Sequence, residues 1–380
     1  MWLKLFPSSH NNEYLFDKNV KLCGEEYYLP WAWNELDEFL EKKNNSLPEN
    51  NIGIHWFNGA DKSKLYAISL EDRLTNFNTK CYLDKIICKY IFNKKISIVM
   101  AYYNRKKQLL QTLNKFNESN YKNIEVIIVD DNSNSYQKVD SFINNVKYDF
   151  PIKIINISEK DKVWVNPCIP YNIGISHTSG DIVILQNPEV IMVDDCLTYV
   201  IENLNYGDWL SLNCYGSPNF EFNNTINNKS PSEIFDIINN LEHRIGGNSV
   251  VRDDVGGWLN HYEKHFVAYH YFAAIHKKDL MEKMDGGFDP NFQHSIGGDD
   301  DEFIKRLIFN KFKFKINKFE KNQPFVIHLY HSKPEQLYKY DYRINKTLFD
   351  KKCLTMNFSP ENNINLAPFN ETPAGNRVLI

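Results

Sequence analysis

Gly180-Asp-Ile-Val-Ile-Leu-Gln-Asn-Pro-Glu189 is the stretch that decides how this chain is read. Ile182 to Leu185 is a short unbroken apolar run between turn signals. Such a run predicts a strand buried on both faces, as in a parallel sheet. Pro188 ends it and fixes the local backbone. Asn187 and Glu189 are thereby expected at the carboxyl edge of a central strand, where open α/β sheets bind their ligands. Two oxygen-bearing side chains two residues apart can share a hard cation such as Mg²⁺ or Mn²⁺.

The same pattern recurs upstream. Ile96-Ser-Ile-Val-Met100 reads as a strand, Ala101-Tyr-Tyr-Asn-Arg105 as a loop, and Leu109, Leu110, Leu113 and Phe116 recur at helical spacing. Ile124 to Val129 is a second strand ending in Asp130-Asp131-Asn132-Ser133. Ile152 to Ile157 is a third, and Tyr171 to His177 a short helix before the fourth at Ile182. Strands alternating with helices predict a mostly parallel sheet with right-handed crossovers. No Gly-x-Gly-x-x-Gly and no P-loop follows any strand, so neither phosphate-binding loop is supported.

Downstream of Glu189 the pattern loosens. Trp209 to Cys214 predicts a strand, the Asn- and Ser-rich Asn219 to Ser232 a mobile loop, and Ile234 to Leu241 a short helix. Gly297-Gly-Asp-Asp-Asp-Glu-Phe303 leads into a helix whose first turn carries acids where they complement the dipole. Phe325 to His331 is a strand with His328 and His331 three apart. The organisation expected is an accessory region over 1–94, a domain over 95–345 with halves 95–215 and 216–345, and a tail over 346–380. In the accessory region, Pro30 to Leu40 reads as an amphipathic helix and His55-Trp56 as part of an aromatic turn or strand.

Composition narrows the classes. With 380 residues and 42% hydrophobic content there is ample material for a core. A net charge of -4 argues against nucleic-acid binding driven by overall charge. No run of about 18 apolar residues predicts a transmembrane segment, and the start is too quickly polar for a signal peptide. Seven scattered cysteines with no Cys-x-x-Cys pair predict reduced thiols in a cytoplasmic setting.

Three acidic or polar clusters now fall at strand or helix ends: Asp130-Asp131, Asn187 with Glu189, and Asp299 to Glu302, followed by His328 and His331. At these residues the chain resembles a known family. Ile98-Val-Met-Ala-Tyr-Tyr-Asn-Arg105, Ile127-Ile-Val-Asp-Asp-Asn-Ser133, Asn172-Ile-Gly174 and Gly180-Asp181 look like the nucleotide-binding half of family-2 glycosyltransferases of the GT-A fold. Gly286-Gly-Phe-Asp289, Gly297 to Phe303 and His328-x-x-His331-Ser332 resemble the acceptor-side half shared with the β-1,4-galactosyltransferases. The resemblance covers about 95–335. One departure stands out: the family's Asp-x-Asp metal motif falls on Asn187-Pro188-Glu189.

That resemblance implies a GT-A type, Rossmann-like α/β fold with a central sheet flanked by helices. It implies inverting, metal-dependent transfer from a nucleotide-sugar donor, a UDP-sugar by default, to a hydroxyl of a glycan or glycoprotein acceptor. The donor-binding set implied is Ala101, Tyr103, Asn104, Arg105, Asp130, Asp131, Asn166, Asn172 and Asn187. Mn²⁺ or Mg²⁺ falls to Glu189 and Asn187 with His331, which the resemblance favours over His328. The family's Glu-Asp pair falls on Asp299-Asp300, making Asp300 the general base. Trp258, His261, Gly298 and Asp301 are assigned to the acceptor cleft, with Asn260 and the aromatic run Tyr269-His270-Tyr271 beside them, and core packing stands as an equal reading of these aromatics. Two rivals stand against this: a sugar-binding module on a degenerate transferase fold, which Asn187 keeps open, and a nucleotide-sugar hydrolase or pyrophosphorylase. Nothing in the sequence fixes the oligomeric state.

Overall fold

The computed structural model describes residues 94–241, 244–245, 256–332 and 340–355. The accessory region before Lys94, with its expected helix at Pro30 to Leu40 and its turn at His55-Trp56, lies outside them, as does the chain beyond Thr355. In order the elements are β1 (Ile96–Tyr102), α1 (Lys106–Glu118), β2 (Ile124–Asp130), β3 (Ile152–Asn156), α2 (Cys168–Ser176), β4 (Ile182–Gln186) and β5 (Val190–Val193). Then come α3 (Cys196–Asn203), β6 (Asp208–Ser211), β7 (Cys214–Gly216), α4 (Phe220–Ile226), α5 (Pro231–Asn239), β8 (Arg244–Ile245) and β9 (Gly257–Asn260). The last are β10 (Phe272–His276), α6 (Lys277–Lys283), α7 (Asp299–Phe309), β11 (Lys313–Ile316), β12 (Phe325–His328) and α8 (Arg343–Thr355).

The strands singled out in the sequence are the buried ones. All of β4 is buried, as is β1 apart from Ala101 and β2 apart from Glu125. Each apolar side chain removed from water in this way stabilises by roughly 1.5–3 kcal/mol. The first sheet runs β11-β6-β10-β4-β1-β2-β3. β4, β1, β2 and β3 are mutually parallel in register, whereas β10 runs antiparallel between β4 and β6. The fold is therefore α/β with a mostly parallel central sheet flanked by helices, as the family resemblance implied. Gly180 admits β4 beside β1, since a Cβ there would come 2.5 Å from the Lys95 carbonyl oxygen.

A second sheet, β5-β12-β7-β9-β8, carries its own core of Tyr215, Trp258, Phe325, Ile327 and neighbours, covered by residues of α4 and α5. The expected strand at Trp209 to Cys214 is thus two strands, because the chain leaves the first sheet after Ser211 and enters the second at Cys214. The loop expected at Asn219 to Ser232 is also corrected. Asn219 caps α4 by accepting from the Phe222 amide, and Ser230 with Glu233 forms a capping box on α5. The expected domain end at residue 345 falls inside α8, whose Phe349 is buried in the first core.

Contacts divide the chain into two compact units, and the sheets belong to the one formed by Lys95–Val200 and Gly207–Ile380. Among the described residues no helix is long and apolar enough to cross a membrane.

Candidate active site

Register brings the functional residues to one edge. β1, β2 and β4 all end there, Phe272 at the start of β10 faces Gln186 at the end of β4, and His328 at the end of β12 faces Val190. Between Gln186 and Val190 the chain turns through Asn187-Pro188-Glu189, and the Val190 amide donates to the Asn187 carbonyl. Helix α1 fixes this turn through the Thr112 hydroxyl, which donates to the Pro188 carbonyl at 2.8 Å. The Leu329 amide donates to the Glu189 carbonyl at 2.9 Å and sets the histidine segment over the turn.

Glu189, His328 and His331 converge there, with one ligand atom from each lying within 4.8 Å of the others. Glu189 Oε1 is 3.3 Å from His331 Nε2 and 3.6 Å from His328 Nε2. The second distance is too long for a hydrogen bond, and His328 Nε2 is buried with no hydrogen-bond partner. Burial alone would raise the Glu189 carboxyl, but the two imidazoles outweigh it and hold it well below the usual range. Burial pushes His328 down, with Glu189 offsetting part of the shift. An ionised carboxylate beside an imidazole kept neutral is the ligand state a divalent cation takes. One oxygen and two nitrogens suit Mn²⁺ and later first-row metals better than Mg²⁺, which prefers an all-oxygen shell. The triad therefore fits a divalent metal. It differs from expectation in its members: His328 joins His331, while the Asn187 oxygen accepts the Tyr171 hydroxyl at 3.0 Å.

The loops after β1 and β2 form the next wall. Asp130 and Asp131, adjacent in sequence, behave differently. Asp130 is 1% exposed, and its two oxygens accept the amides of Ser133 and Val139, both at 2.9 Å. Its carboxylate shapes the loop after β2, where the donor assignment placed it. Asp131 faces side chains instead, accepting Lys162 Nζ at 2.8 Å and Trp164 Nε1 at 3.0 Å. Burial raises its carboxyl, and Lys162 offsets this only in part. Lys162 also lies over the Tyr103 ring, 4.8 Å from its centroid. Asn104, at φ +53°, stitches the two loops by accepting the Asn134 amide. Ala101 is half-buried near the end of β1. Arg105 turns towards the histidine segment and donates to the Ser332 carbonyl at 3.2 Å.

Two more of the expected donor residues bond to other parts of the chain. Asn166, fully buried, donates to Asp299 Oδ1 at 2.9 Å and so belongs to the acidic cluster. Asn172 bonds reciprocally with the Phe288 backbone, clipping α2 to the turn before α7.

Asp299 to Glu302 occupy the first turn of α7 with four separate fates. Gly298 caps the helix at φ +82°, a left-handed conformation that favours glycine, and a Cβ there would press on Phe292 at 3.0 Å. Asp299 is buried against Asn166; burial and then the neighbouring Asp300 push its carboxyl up to about 7. Asp300 stays 41% exposed, with His270 Nδ1 at 3.1 Å from its Oδ1. Asp301 accepts the Tyr269 hydroxyl at 2.5 Å. Glu302 turns inward to Arg306 at 2.8 Å and to Lys352 of α8.

Trp258 and His261, assigned to the acceptor cleft with core packing as the equal alternative, lie in the second core. Trp258 has no exposure and packs edge-on against Tyr215 and Phe319 in the second core, with His261 beside it at 2% exposure. Lys162, Trp164 and Tyr171 were not read from the sequence as site residues, because nothing in an irregular segment or a short apolar helix marks them.

The family model described as "Glycosyl transferase family 2" matches residues 97–266, a span that includes both nucleotide-side loops and the Asn187-Pro188-Glu189 turn. Over that span the chain is similar to family-2 glycosyltransferase domains. A curated relative, the amylovoran biosynthesis glycosyltransferase AmsB of Erwinia amylovora, is 36% identical over 87 residues, 23% of this chain and 28% of that protein. Among solved structures, S. aureus TarS 1-349 in complex with UDP-GlcNAc aligns at TM-score 0.46 with 12% identity, over 70% of this chain and 68% of that one. The mannosyltransferase PcManGT from Pyrobaculum calidifontis, in complex with GDP-Man and Mn²⁺, aligns at TM-score 0.41 with 13% identity, over 69% and 64%. The chain spans less than two thirds of the lengths of AmsB and PcManGT. Within the matched span, the candidate site lies on the sheet edge that the Gly180 to Glu189 stretch pointed to.

Proposed function

We propose that the protein transfers a sugar from a UDP-sugar to a hydroxyl of a glycan or glycoprotein, with inversion and with help from a divalent cation. The observation that carries this reading is a continuous chain of contacts across the sheet edge. Asn187, two residues from Glu189, accepts Tyr171 at 3.0 Å; the Tyr171 ring meets His270 edge-on at 4.8 Å; His270 reaches Asp300 at 3.1 Å. A candidate cation site and a part-exposed carboxylate are thereby linked through one wall, which supports their acting on one substrate.

In this reading Asp131 accepts uracil N3–H. A carboxylate has about four acceptor positions, and Lys162 and Trp164 leave some of them free. Glu189, His328 and His331 would hold the metal, which when bound stabilises charge on a diphosphate. Arg105 lies beside them and adds positive charge. Asp300 is the general base: the acceptor oxygen bonds to the anomeric carbon, the sugar–phosphate bond breaks with its electron pair on the nucleoside diphosphate, and the proton passes to Asp300. Asp299, buried against Asn166, serves that turn of helix and is not open to the acceptor as Asp300 is.

The test is a panel of UDP- and GDP-sugars with Mn²⁺, read first as thermal stabilisation and then as product anomeric configuration by NMR. UDP release with an inverted glycoside supports the proposal. Binding without turnover favours the binding-module reading, and release of free sugar alone favours a hydrolase.

A further inference from the structure

One short segment, Tyr269-His270-Tyr271, reaches three site groups in succession. Tyr269 donates to Asp301 at 2.5 Å, His270 Nδ1 lies 3.1 Å from Asp300 Oδ1, and the Tyr271 ring is 6.1 Å from that of His328. The segment is held from behind. Ala268, fully buried, adopts φ +56°, a conformation that costs a residue bearing a Cβ. Asn260 Oδ1 accepts the Ala268 amide at 3.0 Å, Asn260 Nδ2 donates to the Leu212 carbonyl at 2.8 Å, and Trp209 Nε1 donates to the Ala268 carbonyl at 2.7 Å. A strained residue so heavily tied down fixes the direction of the side chains that follow it.

We propose that His270 is a positioning residue for Asp300: its ring nitrogen, 3.1 Å from an Oδ1 that is buried with no hydrogen-bond partner, holds that oxygen by charge, so that Oδ2 is presented to the acceptor hydroxyl. The inference rests on reading Asp300 as the base. The ring cannot swing away, because Tyr171 meets it edge-on at 4.8 Å and Phe288 at 5.0 Å. The groups facing it are Asp300 and Asp299 from α7, Tyr171 from α2, and its neighbours Tyr269 and Tyr271. Burial depresses the imidazolium, but the two aspartates outweigh it and the net shift is upward. A charged ring attracts the carboxylate where a neutral one does not. During transfer the acceptor proton goes to Oδ2, and His270 keeps its own.

Two variants and one titration test this. His270→Leu removes the donor; His270→Asn keeps an N–H near the Nδ1 position without a titrating ring. The expectation for Leu is a roughly 10- to 100-fold fall in kcat, the cost of a misplaced reacting group, with donor KM and UDP-dependent thermal stabilisation unchanged. Asn should recover part of that kcat while losing the imidazole inflection from the pH–rate profile. Parallel losses of kcat, donor KM and melting temperature in both variants would overturn the proposal in favour of a packing role. Independently of activity, the His270 resonance should titrate at lower pH in Asp300→Asn than in wild type. An unmoved titration in an active enzyme sinks this inference alone. A wild type that transfers no sugar from any donor sinks the reading of the site and the role of His270 with it.

Discussion

Glu189 and Asp299 are both buried carboxylates on the same sheet edge, at 8% and 4% exposure, and their acidities move in opposite directions. Burial disfavours the charged form of each. Glu189 has two imidazoles against it and is held well below the ordinary range, whereas Asp299 has another carboxylate beside it and rises to about 7. The sign is decided by the partner and not by the depth. In the proposed reading, one end of the site keeps a negative charge for a cation, and the other keeps one exposed carboxylate, Asp300, among several acids.

The largest effect is expected where that base is removed. Asp300→Asn keeps the shape and the first turn of α7, whose dipole is still complemented by Asp299, Asp301 and Glu302. Transfer should fall by roughly 10²–10⁴-fold, the range for losing a positioned general base. UDP and Mn²⁺ binding by calorimetry should persist. A folded variant at the wild-type rate would move the base to Asp301 or Asp299.

At the other end, Glu189→Gln leaves two imidazoles with no charge between them. The Mn²⁺ needed for half-maximal activity should rise by about 10²-fold or more, since even the outer partners of metal ligands are worth 10–100-fold. Mn²⁺ binding followed directly by electron paramagnetic resonance should weaken in parallel. Wild-type activity that survives excess chelator would break the comparison, because Glu189 would then be an ordinary buried ion pair.

Within the donor wall, Asp131→Ala should weaken UDP about tenfold, the value of one hydrogen bond to a charged group. Asp130→Ala should instead lower stability by about 2–4 kcal/mol through its two orphaned amides, with UDP affinity per folded molecule little changed. Equal losses of affinity would return Asp130 to the binding set.

How much of this was legible follows from the same contrast between backbone and side chain. β1, β2 and β4 announce themselves because a strand buried on both faces needs an unbroken apolar run, and Ile96 to Met100 or Ile182 to Leu185 is little else. Asn219 and Ser230 misled, because residues favoured in turns are also favoured as helix caps. Trp258 stayed open for a different reason: an aromatic in a Gly-rich stretch looks the same whether it lines a cleft or fills a core, and only the second sheet places it. The Asn-Pro-Glu turn was readable, but the pairing of β12 with β5 was not, and that register is what adds His328 to His331. Asp130 and Asp131 could not be ranked, since the fate of each carboxylate depends on amides and on Lys162 and Trp164 in a separate loop.

The smallest change in transfer is expected from Asp299→Asn, and its stability carries the signal. Asn at this position can still accept from Asn166 Nδ2, so the helix entrance and Asp300 should hold their places and the rate should stay within about tenfold of wild type. The folded-state carboxyl is raised from 3.8 to about 7, so the native protein binds a proton that the unfolded chain has already lost. Stability from this group is full below about pH 4 and is lost as pH rises towards 7, because the native state binds more protons there. Three pKa units at 1.36 kcal/mol each set a ceiling of about 4 kcal/mol on that loss. Asn does not titrate, so the variant should match wild type near pH 4 and exceed it at pH 8. Urea unfolding at both values measures the difference directly. Curves that run parallel from pH 4 to 8 would mean that Asp299 is ionised in the native state, and the two ends of the site would then differ in geometry but not in charge.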